Sequence, residues 1–164
     1  MYFTMLHVIC TLMFLQGCNS AHPILHGDPG EVDVLVFSST DCPVANALAP
    51  AIERLHQEVM QGGGQLYLVH VWEGRTHKDV DSHAKEYGLT MEIKLDPKHK
   101  LVKQFNATVT PEAVVIEYDN FGNPQVVYQG LLNNLFVSPG NRRDRATEHY
   151  VSDAIQAAFE GVVV

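Results

Sequence analysis

The reactive side chains of this sequence point to one thiol. Cys42 stands in the run Phe37-Ser38-Ser39-Thr40-Asp41-Cys42-Pro43-Val44-Ala45-Asn46. An apolar, β-rich stretch, Val32 to Phe37, precedes it. A segment with helical spacing, Leu48, Ile52, Leu55 and Val59, follows it. The cysteine therefore falls where a strand ends and a helix begins. Unpaired backbone N–H groups and the helix dipole favour negative charge at such a point, and the thiolate is the reactive form of cysteine. Pro43 suits the first helical turn, where its missing N–H would have had no partner. Ser39 and Thr40 can offer hydroxyls to the sulfur, while the Asp41 carboxylate opposes its ionisation by like-charge repulsion. The competing reading is a structural cysteine sealed in the core; the strand-to-helix position favours the reactive one.

The elements that must hold this thiol come from a chain of 164 residues, long enough for one domain with a real core. The formal net charge is −8, and the short basic cluster Arg142, Arg143 and Arg145 is diluted by Asp144 and Glu148. Nucleic-acid binding has little support, and the acidity reads as solubility. The cysteines are Cys10, Cys18 and Cys42 alone, with neither a CxxC pair nor zinc-site spacing. The sequence lacks GxSxG and GxxxxGK[ST], which excludes the usual serine-hydrolase and phosphate-loop readings. Gly62-Gly63-Gly64 reads as a helix-to-strand turn.

The first residues read as targeting. Met5 to Leu15 is apolar and short for a membrane span, and Leu15-Gln16-Gly17-Cys18 resembles a bacterial lipobox. That resemblance implies cleavage after residue 17, a lipid-modified Cys18 and an extracytoplasmic, membrane-anchored protein. Gln16 and a leader without Lys or Arg depart from the pattern, and a plain secretory leader is the alternative. Residues 18–31 read as a tether, with His22 and His26 as solvated side chains.

The order expected from residue 32 is a strand at Val32–Phe37, then a helix over Asn46–Met60 bent at Pro50. A buried strand follows over Leu66–Trp72, with His70 a satisfied core histidine and Trp72 packing at its end. A helix over Lys78–Tyr87 stops at Gly88. A short extended piece, Ile93–Asp96, leads to a short helix over Pro97–Phe105. A hairpin, Ala113–Tyr118 with Gln125–Gln129, turns at Asn120–Pro124. Leu131–Arg145 reads as loop, and a last helix starts with Thr147 as N-cap. The pattern predicts an α/β fold with a mixed sheet and helices on both faces.

With Cys42 after the first strand and Thr110-Pro111 before the hairpin, this layout resembles a thioredoxin-like fold. It is closest to the redoxin branch, the alkyl hydroperoxide reductase/thiol-specific antioxidant relatives with a T-[DE]-C-P-[VI]-[AS]-N motif. Leu95-Asp96-Pro97, Ala107-Thr108-Val109-Thr110-Pro111-Glu112-Ala113 and Tyr128-Gln129-Gly130 carry the rest of the resemblance, over residues 32–161. It implies a cis Pro111 lying against Cys42, with Thr110 offering backbone groups to a bound thiol or peptide, and Glu112 near enough to oppose the thiolate. Ala45 stands where thioredoxins carry their second cysteine, Leu35 stands where peroxiredoxins carry proline, and no arginine lies near the motif in sequence.

The expected function is a monothiol redox protein. Cys42 would attack a peroxide or a disulfide, and an external thiol reductant would resolve it, with no cofactor or metal. The alternative is a catalytically silent module of the same fold that binds an extracytoplasmic protein partner or, with less weight, a metal through some of its nine histidines.

Overall fold

A computed structural model describes residues 25–72 and 74–162. Cys10, Cys18 and the lipobox lie outside the described residues. The order is β1 (Val32–Ser38), α1 (Pro43–Gln61), β2 (Gln65–His70), α2 (His77–Tyr87), β3 (Glu92–Leu95), α3 (Lys100–Phe105), β4 (Glu112–Tyr118), β5 (Pro124–Gly130), β6 (Phe136–Ser138), β7 (Asn141–Arg142) and α4 (Tyr150–Phe159).

Five strands form one mixed sheet in the order β3-β2-β1-β4-β5. The pairs β1–β2 and β2–β3 are parallel; β1–β4 and β4–β5 are antiparallel. β1 is central and buried along its whole length, as a continuous apolar run requires. Its side chains alternate between two cores. Val32, Val34 and Val36 meet Ile52, Leu55 and Val59 of α1 and Val151 and Ile155 of α4. Leu35 and Phe37 meet Leu101 and Phe105 of α3 on the other face. The thioredoxin-like α/β architecture expected from the sequence is therefore the one observed, with a hairpin and a helix closing the chain. Leu25 is also buried, beside Leu35 and Tyr118, so the packed body already includes the last part of the 18–31 segment.

Several boundaries differ from expectation for local reasons. α1 starts at Pro43, because Cys42 itself is its N-cap. α3 starts at Lys100, not Pro97, because the Asp96 carboxylate accepts the N–H groups of Lys100 and Val102 at 2.6 and 3.0 Å. Thr147 does not cap α4. Its hydroxyl and N–H are bonded to the side chain of Asn134, and the helix begins three residues later at Tyr150, after His149. The stretch read as loop after Leu131 contains the small β6–β7 hairpin. Trp72 does not pack; it is 53% exposed.

Candidate functional site

β1 ends at Ser38 and α1 begins at Pro43, and the turn between them carries the thiol. The Cys42 N–H donates to Ser39 O at 3.1 Å, which closes the turn. As N-cap, Cys42 has an extended backbone, and its Sγ accepts the Ala45 N–H at 3.5 Å. This is the capping contact that a serine or aspartate oxygen commonly makes at a helix start. The sulfur is half-buried and free. β4 runs antiparallel to β1, so its first residues arrive at the same end of the sheet. The Thr110–Pro111 peptide there is cis, and the Cys42 S–H donates to the Thr110 carbonyl at 3.2 Å. Pro111 is buried and Pro43 exposed.

Neither Ser39 nor Thr40 bonds the sulfur, contrary to expectation. The Ser39 hydroxyl accepts the Asp41 N–H at 3.3 Å, and the Thr40 hydroxyl points to Asp41 at 3.5 Å. Their part is to shape the turn. Thr40 is held on both sides of its backbone. Its N–H donates to His70 Nε2 at 3.1 Å, and its carbonyl accepts from Asn46 Nδ2 at 3.0 Å. Asn46 Oδ1 meets His83 Nε2 at 2.9 Å, and the His83 ring leans on Tyr87. His70, read as a satisfied core histidine, is satisfied at one nitrogen only. Its Nδ1 is buried without a partner among the described residues. Asn46 lies inside the cysteine motif, whereas His83 stands 37 positions away and carries no local signal that it reaches Asn46.

An arginine does stand at the motif. Arg75, from the β2–α2 connection, donates through Nη2 to both carboxylate oxygens of Asp41 at 2.7 and 2.8 Å. That contact holds the Asp41 carboxyl below its ordinary range and the Arg75 guanidinium above its own. The repulsion that Asp41 would exert on a thiolate is thus offset in place. Thr40, Asp41, Arg75, Asp79 and His83 line a polar pocket of about 350 Å³.

Glu112 faces the loop before the cis proline. Its Oε2 accepts the N–H groups of Thr108 and Val109 at 2.6 and 3.2 Å, and its Oε1 accepts from Gln129 Nε2 at 2.8 Å. Burial acts to raise this carboxyl, but those hydrogen bonds outweigh it and hold the group below its ordinary range. Its place in the site is therefore that of a brace for the segment carrying Thr110. Thr110 also lines a groove of about 460 Å³ with Phe37, Val71, Val102 and Val109. Among the described residues, no group of three or more His, Cys, Asp or Glu is placed to hold a metal ion. Nor is any described helix long and apolar enough to cross a membrane.

The thioredoxin-like family matches residues 30–121, more than half of the chain. The protein belongs to that family. Among curated proteins, none matches. Among solved structures, the thioredoxin-like chain is similar to an uncharacterized conserved protein from Geobacillus kaustophilus, with a TM-score of 0.69 and 21% identity over 82% of this chain and 70% of that one. A hypothetical protein from Sinorhizobium meliloti gives a TM-score of 0.66 and 21% identity over 82% and 73%. A proposed thiol:disulfide interchange protein DsbE from Chlorobium tepidum gives 0.59 and 17% over 79% and 81%. These are likenesses of fold.

In this thioredoxin-like chain the match ends at residue 121, after the cysteine turn and the cis-proline loop. The arrangement presents one sulfur between a helix N-terminus and a backbone carbonyl. It fixes the turn ahead of that sulfur through two imidazoles and an amide, and it neutralises the one carboxylate beside it.

Proposed function

We propose that this thioredoxin-like protein is a monothiol redox protein of the cell envelope, with Cys42 as its reacting group. The observation that carries the reading is the sulfur itself: half-buried, at the N-cap of α1, and 3.2 Å from the carbonyl that precedes cis-Pro111. The N-terminus of a helix favours negative charge beside it, and the thiolate is the form of cysteine that reacts. The similarity of fold to a proposed thiol:disulfide interchange protein supports the same class of chemistry.

With a peroxide ROOH, the Cys42 thiolate attacks one oxygen, the O–O bond breaks, and Cys42 sulfenic acid and ROH form after one proton is taken up. An external thiol then attacks the sulfenic sulfur and releases water, leaving a mixed disulfide. A second external thiol attacks the external sulfur, frees Cys42 and leaves as a disulfide. With a disulfide as oxidant, the Cys42 thiolate attacks one of its sulfurs, that S–S bond breaks, the other sulfur leaves as a thiolate, and the mixed disulfide forms directly. With Ala45 at the position three residues on, Cys10 removed with the leader and Cys18 blocked by lipid, resolution comes from an external thiol. The leader and the lipobox-like Cys18 support an extracytoplasmic, lipid-anchored location.

The test exposes the protein to peroxide, or to a small disulfide, and reads Cys42 by mass spectrometry with a sulfenate-selective trap. The expected result is an adduct or mixed disulfide on Cys42 that Cys42→Ser abolishes. An unmodified Cys42, under conditions that oxidise a known peroxidase and a known disulfide reductase, overturns the redox reading and leaves a partner-binding module of the same fold.

A further inference from the structure

We propose that His70 is a proton-sensitive positioning residue for Cys42: as a neutral imidazole it holds the Thr40 N–H and with it the turn into the thiol, and on taking a proton it releases that turn. The proposal rests on the reading of Cys42 as the reacting group.

The hydrogen-bond directions fix the proton positions. Thr40 N–H can only donate, so His70 Nε2, 3.1 Å away, presents its lone pair and the ring proton sits on Nδ1. A second proton can go only to Nε2, where it sets two donors against each other. His83 differs. The Asn46 amide nitrogen is committed to Thr40 O, so Asn46 Oδ1 accepts, and His83 Nε2 donates to it. His83 can gain a proton on its other nitrogen and keep that bond. Of the two imidazoles behind the turn, His70 alone loses its contact on protonation. Thr40 is two residues ahead of the sulfur, and Cys42 N–H is tied back to Ser39 O, so the turn responds as a unit.

The surroundings keep His70 neutral at ordinary pH. The ring is 2% exposed. Burial is the main cause that lowers its proton affinity; His83 from α2 and Arg75 from the β2–α2 connection add to it, and Asp41 from the turn opposes it. After β3, the Asp96 N–H is bonded to the His70 carbonyl, and the Asp96 carboxylate is turned to Lys100 and Val102. The ring is therefore neutral at pH 7, and release comes as pH falls on the acid side of about 6.5, the ordinary histidine value.

The experiment follows the Thr40 amide by 1H–15N spectroscopy and Cys42 alkylation by iodoacetamide, each from about pH 4.5 to about pH 8. The proteins are the wild type, His70→Gln and His70→Met. Gln can place an oxygen near the Nε2 position without titrating; Met offers no acceptor. In the wild type, the Thr40 amide should shift through an acid midpoint. Cys42 alkylation, divided by that of a small thiol of similar acidity, should change at the same midpoint. His70→Gln should keep the neutral-pH rate within about threefold and lose the acid midpoint, while His70→Met should change the rate about fivefold or more at every pH. Wild-type and His70→Gln profiles that superimpose in both readouts overturn the proposal, and that comparison decides it even should the Met variant fail to fold. Cys42 that alkylates normally but never reacts with peroxide or disulfide counts against the redox reading, while the two profiles still judge His70.

Discussion

Arg75 grips both oxygens of Asp41 through a single nitrogen, at 2.7 and 2.8 Å, across 34 positions of sequence. Both partners are solvent-accessible, so the pair adds little to stability. Its consequence is electrostatic and local. Arg75→Met leaves a bare carboxylate one residue from the sulfur and should slow Cys42 alkylation at neutral pH a few-fold, more at low salt than at high salt. Asp41→Asn combined with Arg75→Met should restore the rate. A single Arg75→Met variant that alkylates like the wild type at low salt would remove Arg75 from the site.

Glu112 should reveal itself in acid. Its folded carboxyl lies below the ordinary value, because its hydrogen bonds to Thr108, Val109 and Gln129 outweigh burial. The unfolded chain therefore binds the proton more readily. The stabilisation is present above the ordinary glutamate range, near 4.5, and is lost as pH falls through the folded value. Glu112→Ala strands two backbone donors and should lose about 2–4 kcal/mol at pH 7 by urea unfolding. The gap between variant and wild type should narrow towards pH 3. A gap that stays constant with pH would show that the carboxylate charge plays no part.

Asp33 has the opposite sign. It is buried at the start of β1, where it accepts from Tyr118 Oη at 2.9 Å and from the Gln65 N–H at 3.0 Å. Burial nevertheless holds its carboxyl above the ordinary value. Its contribution to stability is therefore present below about pH 3.8 and is lost as pH rises through the folded value. Asp33→Asn keeps an acceptor for Gln65 and can donate to the Tyr118 oxygen. It should match or exceed wild-type stability at pH 7, with the advantage growing between pH 3 and pH 7. Tyr118→Phe should cost about 1–3 kcal/mol in the same unfolding assay, since it leaves a buried carboxylate oxygen unpaired. An Asp33→Asn variant that is clearly weaker at pH 7 than at pH 3, relative to wild type, refutes the assignment.

The glycines between α1 and β2 should separate cleanly. A Cβ on Gly64 would sit 1.8 Å from the Val32 carbonyl oxygen, a backbone atom of the central strand that has no room to move. Gly64→Ala should cost several kcal/mol or prevent soluble expression. Gly63 has φ +89° with open space around it, so Gly63→Ala should cost only about 1 kcal/mol of backbone strain. Thermal unfolding of the two variants checks the order.

The fold was legible where one signal dominated. Val32–Phe37 is apolar throughout and became the central strand, and the helical spacing from Leu48 to Val59 became the buried face of α1. The positions of Cys42 and Thr110-Pro111 before their elements were enough to bring sulfur and carbonyl to one end of the sheet. Misreadings came where a residue's partner is distant in sequence. Thr147 has the chemistry of an N-cap, but Asn134 claims it. Ser39 and Thr40 look like thiol partners, but they serve the turn. Trp72 looked like packing because it is large and apolar at a strand's end, yet β2 stops at His70. Arg75 and His83 reach the motif only because α2 folds back beside α1, a tertiary fact that no local window contains.

The described chain begins at the far end of the same sheet. Gly30 and Glu31 are hydrogen-bonded to Tyr118, the last residue of β4, and His26 lies over Gly122 in the turn beyond. The length of β1, 7 residues at about 3.3 Å each, separates that pole from the thiol. A lipid on Cys18, as proposed, would therefore tether the body from the pole opposite its thiol.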